Sequence, residues 1–136
     1  MLRPILIVMP LTLTAACAPL DSGRDFVSDA RPVAAVGEAQ RCINTSLISR
    51  QTVQDDRTID FRLGATTYRN TLPSPCPRLG TLRSIAYEPL AGQLCANQTI
   101  RVIDPIGGGA SQGAVCGLGE FVPVEYVDPD TGSTGS

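Results

Sequence analysis

Seven carboxylates in the central part of this 136-residue chain are the first side chains to weigh for chemistry: Asp55, Asp56, Asp60, Glu88, Asp104, Glu120 and Glu125. Two of them converging in a cleft would suit general acid–base hydrolysis of the glycosidase kind, and Asp55-Asp56 with Asp60 could hold a hard cation. The spacing argues against both uses. Adjacent residues in a turn point apart, Asp60 falls at a strand position that alternation turns toward solvent, and no D-x-D-x-D-G calcium loop is present. The expectation is a turn and a solvated face. Histidine is absent, which excludes Ser-His-Asp and Cys-His nucleophiles, an imidazole base and His-ligated metal. No catalytic residue, cofactor or metal site is expected.

The five cysteines are more informative. Cys17 ends Leu13-Thr14-Ala15-Ala16-Cys17, which resembles the lipobox of bacterial lipoproteins, with small residues before a Cys whose thiol is alkylated by a lipid donor. Thr14 departs from the more usual Leu. Ahead of it, Arg3 supplies a positive charge and Ile5 to Ala15 is largely apolar. At ~1.5 Å per residue such a stretch is too short to span a ~30 Å hydrocarbon core, but it suits the h-region of a signal peptide. Residues 1–16 are therefore expected to be removed and Cys17 acylated. Several acyl chains anchor a protein stably where one is marginal. Ala18 stands where Asp would signal retention in an inner membrane, so the periplasmic face of the outer membrane is the expected address.

Cys42, Cys76, Cys95 and Cys116 then remain, an even number in an oxidising compartment, and two disulfides are expected in one of three connectivities. Their wide spacing lacks the close C-x₂₋₄-C pairs of a zinc site, and no C-x-x-C redox motif occurs.

Three other segments have a functional reading. Tyr68, Arg69 and Asn70 lie on one predicted strand, with Arg69 opposing the other two, and could form a polar recognition surface, although core packing or cross-strand pairing is the simpler account of them. Gly107-Gly108-Gly109 to Gly113 could cradle an anion with backbone N–H groups, but without a following Lys-Ser/Thr it reads as a connector. Pro73 to Pro77 is a rigid loop, of the type an enzyme inhibitor would present.

The elements that must position these residues are short strands. Thr58 to Leu63 alternates so that Ile59, Phe61 and Leu63 share a face. Gly64-Ala65 turns the chain and Thr66 to Leu72 returns it. Ser49 to Gln54, Ser84 to Glu88, Gln98 to Asp104 and Glu120 to Val127 complete about six strands. The fold class expected is all-β, a small antiparallel barrel or sandwich braced by disulfides. It occupies residues 41–127, after a flexible tether over 17–40 with a short helical turn near Val33 to Gln40, and before a disordered tail at 128–136.

Composition fits that plan. Aromatics are 4% and Trp is absent, so the core is aliphatic. All eleven basic residues are Arg; from Cys17 onward ten face thirteen acidic residues, a net charge of −3. This gives no basis for nucleic-acid binding.

The run Cys42-Ile43, Asp55 to Ile59, Tyr68 to Leu72, Cys76-Pro77-Arg78-Leu79, Leu94-Cys95 and Cys116-Gly117-Leu118-Gly119 resembles a family of small proteobacterial envelope proteins known as a domain of unknown function. The resemblance spans about residues 40 to 127. It implies a location and a fold but no activity, and it implies the pairings Cys76–Cys116 and Cys42–Cys95. The function expected is a non-enzymatic binding or structural module of the cell envelope, held to the membrane by lipid and facing an envelope protein or polymer. A small carboxylate-dependent periplasmic hydrolase and a periplasmic protein inhibitor are the alternatives.

Overall fold

The computed structural model describes residues 27–106 and 111–128, without the side chains of Ser111 and Gln112. Ten strands are present among them: β1 (Val33–Ala35), β2 (Cys42–Asn44), β3 (Ile48–Val53), β4 (Thr58–Leu63), β5 (Thr66–Thr71), β6 (Ile85–Tyr87), β7 (Gln93–Cys95), β8 (Thr99–Asp104), β9 (Ser111–Gly117) and β10 (Phe121–Tyr126). One helical turn, α1 (Leu79–Leu82), follows β5.

The β4–β5 hairpin is the centre of the molecule. Its turn needs a positive φ at the first of two residues, and Gly64 supplies it at +59°. β3 adds to the outer edge of β4, β10 to β5 and β1 to β10, giving the order β1-β10-β5-β4-β3, antiparallel throughout. A two-stranded sheet (β2-β7) and a three-stranded one (β6-β8-β9) complete the fold. The strands thus form three antiparallel sheets rather than a closed barrel.

One apolar cluster joins the three sheets. β4 contributes Ile59 and Phe61, β10 Phe121, β2 Ile43, β7 Leu94, and β8 Ile100 and Val102, all buried. Phe61 stands edge-on to Phe121 at 5.7 Å and to Tyr87 at 6.4 Å between ring centroids, the preferred aromatic geometry. With so few aromatics, covalent links matter. Cys42 bonds Cys95 directly across the β2–β7 ladder, and Cys76, in the proline loop, bonds Cys116 of β9. The two loops interlock along the chain, spanning 53 and 40 residues.

The six expected strands are all present, and four more accompany them. β1, β2 and β7 are three residues each, too short for alternation to register, and β9 is rich in small residues. The helical turn expected near Val33 to Gln40 does not form. Val33–Ala35 pairs instead with β10, and Gln40 bridges to Phe121, because β10 otherwise has an unfilled edge there. The ordered unit therefore reaches into the segment expected to be a tether.

Asp60 also departs from expectation. Alternation does turn it away from the core, yet it is only 2% exposed. That side of the sheet is covered by other side chains and by an incoming stretch of chain.

Candidate functional site

The cover over Asp60 is a polar network on the outer face of the five-stranded sheet. Asp60 and Arg69 are direct cross-strand partners, and the guanidinium binds the carboxylate with two nitrogens, Nε to Oδ1 at 2.8 Å and Nη2 to Oδ2 at 2.9 Å. Tyr126 Oη donates to Oδ2 at 2.7 Å and Gln54 Nε2 donates to it at 3.0 Å. Burial, the hydrogen bond to Asp60 and the negative charge there all raise the Tyr126 phenol above its ordinary pKa, against the opposing pull of Arg69 and Arg31.

Residues 28–32 form a strap across this network. Ser28 Oγ and the Ala30 amide donate to Asp55 Oδ2 at 2.6 and 3.2 Å, and the Arg31 amide donates to Gln54 Oε1 at 3.4 Å. Arg69 Nη1 donates to the Arg31 carbonyl at 2.8 Å, the Arg31 guanidinium lies 4.3 Å from the Tyr126 ring centroid, and the Val127 amide donates to the Pro32 carbonyl. No period in the sequence signals this strap, because each of its contacts is with a residue more than twenty positions away.

Of the three residues on the predicted recognition strand, Arg69 belongs to this network. Asn70 is fully buried on the opposite, core-facing side, where Nδ2 donates to the Gly119 carbonyl at 2.7 Å and Oδ1 accepts from the Gly119 amide at 2.9 Å. That double bond splices the approach to β10 onto β5. It also requires glycine at 119, since a Cβ there would collide with the Thr71 carbonyl. Tyr68 is half-buried against the core. The three residues therefore share no exposed surface.

The carboxylates are similarly committed. Asp55 Oδ1 accepts from the Arg57 amide at 2.8 Å, closing the β3–β4 turn. Burial tends to raise its pKa, but donors from Ser28, Arg57, Thr58 and Ala30 outweigh that and lower it. Asp56 Oδ1 accepts from the Gly80 amide, and Asp104 faces Arg78 at 3.4 Å. Glu88 is exposed after β6, and Glu120 and Glu125 are exposed just before and within β10. Among the described residues no group of three or more Cys, Asp or Glu is placed to hold a metal ion.

Two exposed features stand out. A shallow groove of about 440 Å³ runs along the three-stranded sheet, with Tyr87, Glu88, Gln98 and Arg101 in its lining and Leu90 and Val115 left 69% and 50% exposed. Sequence patterning missed this pair, because Leu90 sits in a turn and Val115 in the small-residue strand β9. The second is the proline loop. Arg57 Nε donates to the Leu72 carbonyl at 2.7 Å and Nη2 to the Pro73 carbonyl at 3.2 Å; the Cys76 amide donates to the Asp56 carbonyl at 2.6 Å. With the Cys76–Cys116 bond these hold both ends of the loop while Pro73, Ser74 and Pro75 stay exposed.

Cys17, the apolar leader, Gly107 to Ala110 and the tail from Pro129 lie outside the described residues; Gly113 falls within β9. Among the described residues no helix is long and apolar enough to cross a membrane. Comparison with protein-family models, with curated proteins and with solved structures finds no match to this chain.

Proposed function

We propose that this chain is an exported lipoprotein, acylated on Cys17 and held at the periplasmic face of the outer membrane, whose β domain serves as a binding or structural module of the envelope. The observation that carries the reading is the thiol count. Cys42, Cys76, Cys95 and Cys116 are consumed by two disulfides, which leaves Cys17, at the end of a lipobox-like run, as the fifth of five. Disulfides of this kind belong to an oxidising compartment.

A module that binds rather than hydrolyses is favoured by the state of the acids. Asp55 and Asp60 accept fixed donors on both oxygens, and a general acid would need a raised pKa where that of Asp55 is lowered. Among the described residues Glu88 lines the groove without a second carboxylate beside it.

Membrane fractionation with mass spectrometry of the N-terminal peptide tests the anchor. The wild-type chain sediments with membranes and begins at an acylated Cys17, whereas Cys17→Ser is released with both disulfides intact. Retention of the variant in membranes, or an unmodified Cys17 in the wild type, would sink the reading.

The braced proline loop supports a second reading, a periplasmic protein inhibitor that presents Pro73 to Pro77 to an enzyme. Affinity capture from solubilised envelopes, using the wild type and a chain scrambled at Pro73, Ser74 and Pro75, separates the two readings. Equal recovery of partners by both baits counts against the loop.

A further inference from the structure

The outer face of the five-stranded sheet carries arginines that the fold does not neutralise. Arg50 of β3 and Arg62 of β4 are exposed and stand directly opposite each other in the antiparallel register. Like charges facing across a ladder destabilise it. Among the described residues the ion pairs are Arg69–Asp60 and Arg78–Asp104, so neither arginine of this couple has a carboxylate partner. Arg62 Nε is held by the Gly64 carbonyl at 3.1 Å. The exposed guanidinium of Arg31 lies over Tyr126 on the same face. Arg31, Arg50, Arg62 and Arg69 face Asp60, which Arg69 neutralises, and Asp29 on the strap. Asp55 also meets the strap, so the acids gather at the strap end of the face, while the exposed Arg50–Arg62 couple lies toward the Gly64 turn with no carboxylate paired to it among the described residues.

The chain that leads toward Cys17 leaves from this same face. The strap meets the β3–β4 turn at Asp55 through Ser28 and Ala30 and crosses Arg69 at Arg31. Val27 lies only ten positions after Cys17, a span of ten chain steps. Fully extended they reach about 35 Å, and as a random coil their ends lie about 18 Å apart. A tether of this length holds the face at high effective concentration beside the bilayer, so that approaches to within the Debye length of about 8 Å, where the field of anionic lipids acts, are frequent.

We infer that this face, through Arg50 and Arg62 with Arg31, docks onto the phosphates of anionic lipid headgroups in the membrane that holds the anchor. The inference rests on the proposed acylation of Cys17. Paired guanidinium groups suit this ligand because each can give two parallel N–H donors to a phosphate. A headgroup phosphate lying between Arg50 and Arg62 would also relieve their repulsion.

The absence of Trp makes a clean reporter possible. Thr52→Trp places one indole on the face, across the ladder from Asp60, and Leu90→Trp places one in the groove beside the three-stranded sheet as the control. Each acylated full chain is reconstituted in vesicles of phosphatidylcholine alone or mixed with phosphatidylglycerol, and acrylamide quenching is measured. Quenching of Thr52→Trp is expected to be several-fold weaker on the anionic vesicles, and to return to the phosphatidylcholine level in high salt or in the Arg50→Gln/Arg62→Gln background. Leu90→Trp is expected to respond equally to both lipids, and circular dichroism establishes that every variant is folded.

Equal quenching of Thr52→Trp on the two lipids, in protein shown by mass spectrometry to be acylated, overturns the inference and leaves the anchor standing. Shielding by a soluble anionic polysaccharide but not by lipid also overturns it. If Cys17 carries no acyl group the anchor reading fails, and co-sedimentation of the unacylated chain then decides the face. Arginine-dependent binding to anionic vesicles upholds it, and no binding overturns it.

Discussion

Replacing Arg69 with Leu removes the guanidinium that supplies two of the four hydrogen bonds made to a carboxylate only 2% exposed. Asp60 keeps Tyr126 and Gln54, both neutral donors, so its charge stays buried without a counter-ion. Removing one partner of a buried pair costs about 3–5 kcal/mol, most of it the desolvated charge left behind. Loss of the bond from Arg69 to the Arg31 carbonyl adds about 1 kcal/mol. Against a typical domain stability of about 5–15 kcal/mol, the variant should be barely folded or close to it. The double variant Asp60→Leu/Arg69→Leu discards the charge along with its partner. It should lie within about 2 kcal/mol of wild type, since Tyr126 and Gln54 retain access to water. Urea unfolding followed by far-UV circular dichroism, with the disulfides intact, measures all three chains and Asp60→Leu alone, which closes the cycle. A loss below about 1 kcal/mol for Arg69→Leu, or a double variant that loses the sum of the singles, would refute the account of this face.

Three further outcomes follow from the same geometry. Because interlocked loops of 53 and 40 residues are closed, Cys42→Ser/Cys95→Ser and Cys76→Ser/Cys116→Ser should each lower unfolding stability by about 4 kcal/mol on the chain-entropy model; non-reducing peptide mapping that links Cys42 to Cys76 or Cys116 would contradict the pairing. Gly119→Ala drives a methyl group into the Thr71 carbonyl and pulls the backbone from Asn70, so a loss of about 3 kcal/mol is expected by denaturant titration, and a neutral result would show that the splice between β5 and β10 is looser than drawn. Asp55 has a folded-state pKa below its ordinary value of 3.8, so its contribution is complete above that value and disappears as the pH falls through the folded pKa. Asp55→Asn should therefore be less stable than wild type at neutral pH and converge on it in acid, and a gap that stays constant with pH would contradict the assignment.

Much of the central sheet is legible without coordinates. Ile59 and Phe61 alternate with Thr58, Asp60 and Arg62, and that period of two is a property of extended backbone itself. Gly64 marks the turn because few other residues adopt a positive φ there. Six strands are visible in this way, each about as long as the alternation that reveals it. β1, β2 and β7 are not, since three residues by themselves carry no period; β6 is as short but sits within Ser84 to Glu88, where Ile85 and Tyr87 alternate with small or polar neighbours. β2 and β7 form where Cys42 and Cys95 face each other, and β1 where β10 offers a partner.

The candidate site was less legible. Asp60 reads as solvated because alternation tells which side of a sheet a residue is on, but not what covers that side. Tyr68, Arg69 and Asn70 read as one surface patch, yet Asn70 is consumed by Gly119, 49 residues further on, and Arg69 by Asp60 and the strap. Arg50 and Arg62 drew no notice in sequence because their opposition depends on the register of two strands and on the irregularity between Ile48 and Arg50.

By itself the sequence determined the all-β class, the place of the central strands and the chemistry ruled out by a chain with no histidine, because these depend on composition and on backbone periodicity that each segment carries alone. Which cysteines meet, which acid is buried and which arginines face each other were decided only by the tertiary structure. Each of those facts is a contact between residues far apart in the chain, set by how strands pair and how one core closes beneath three sheets.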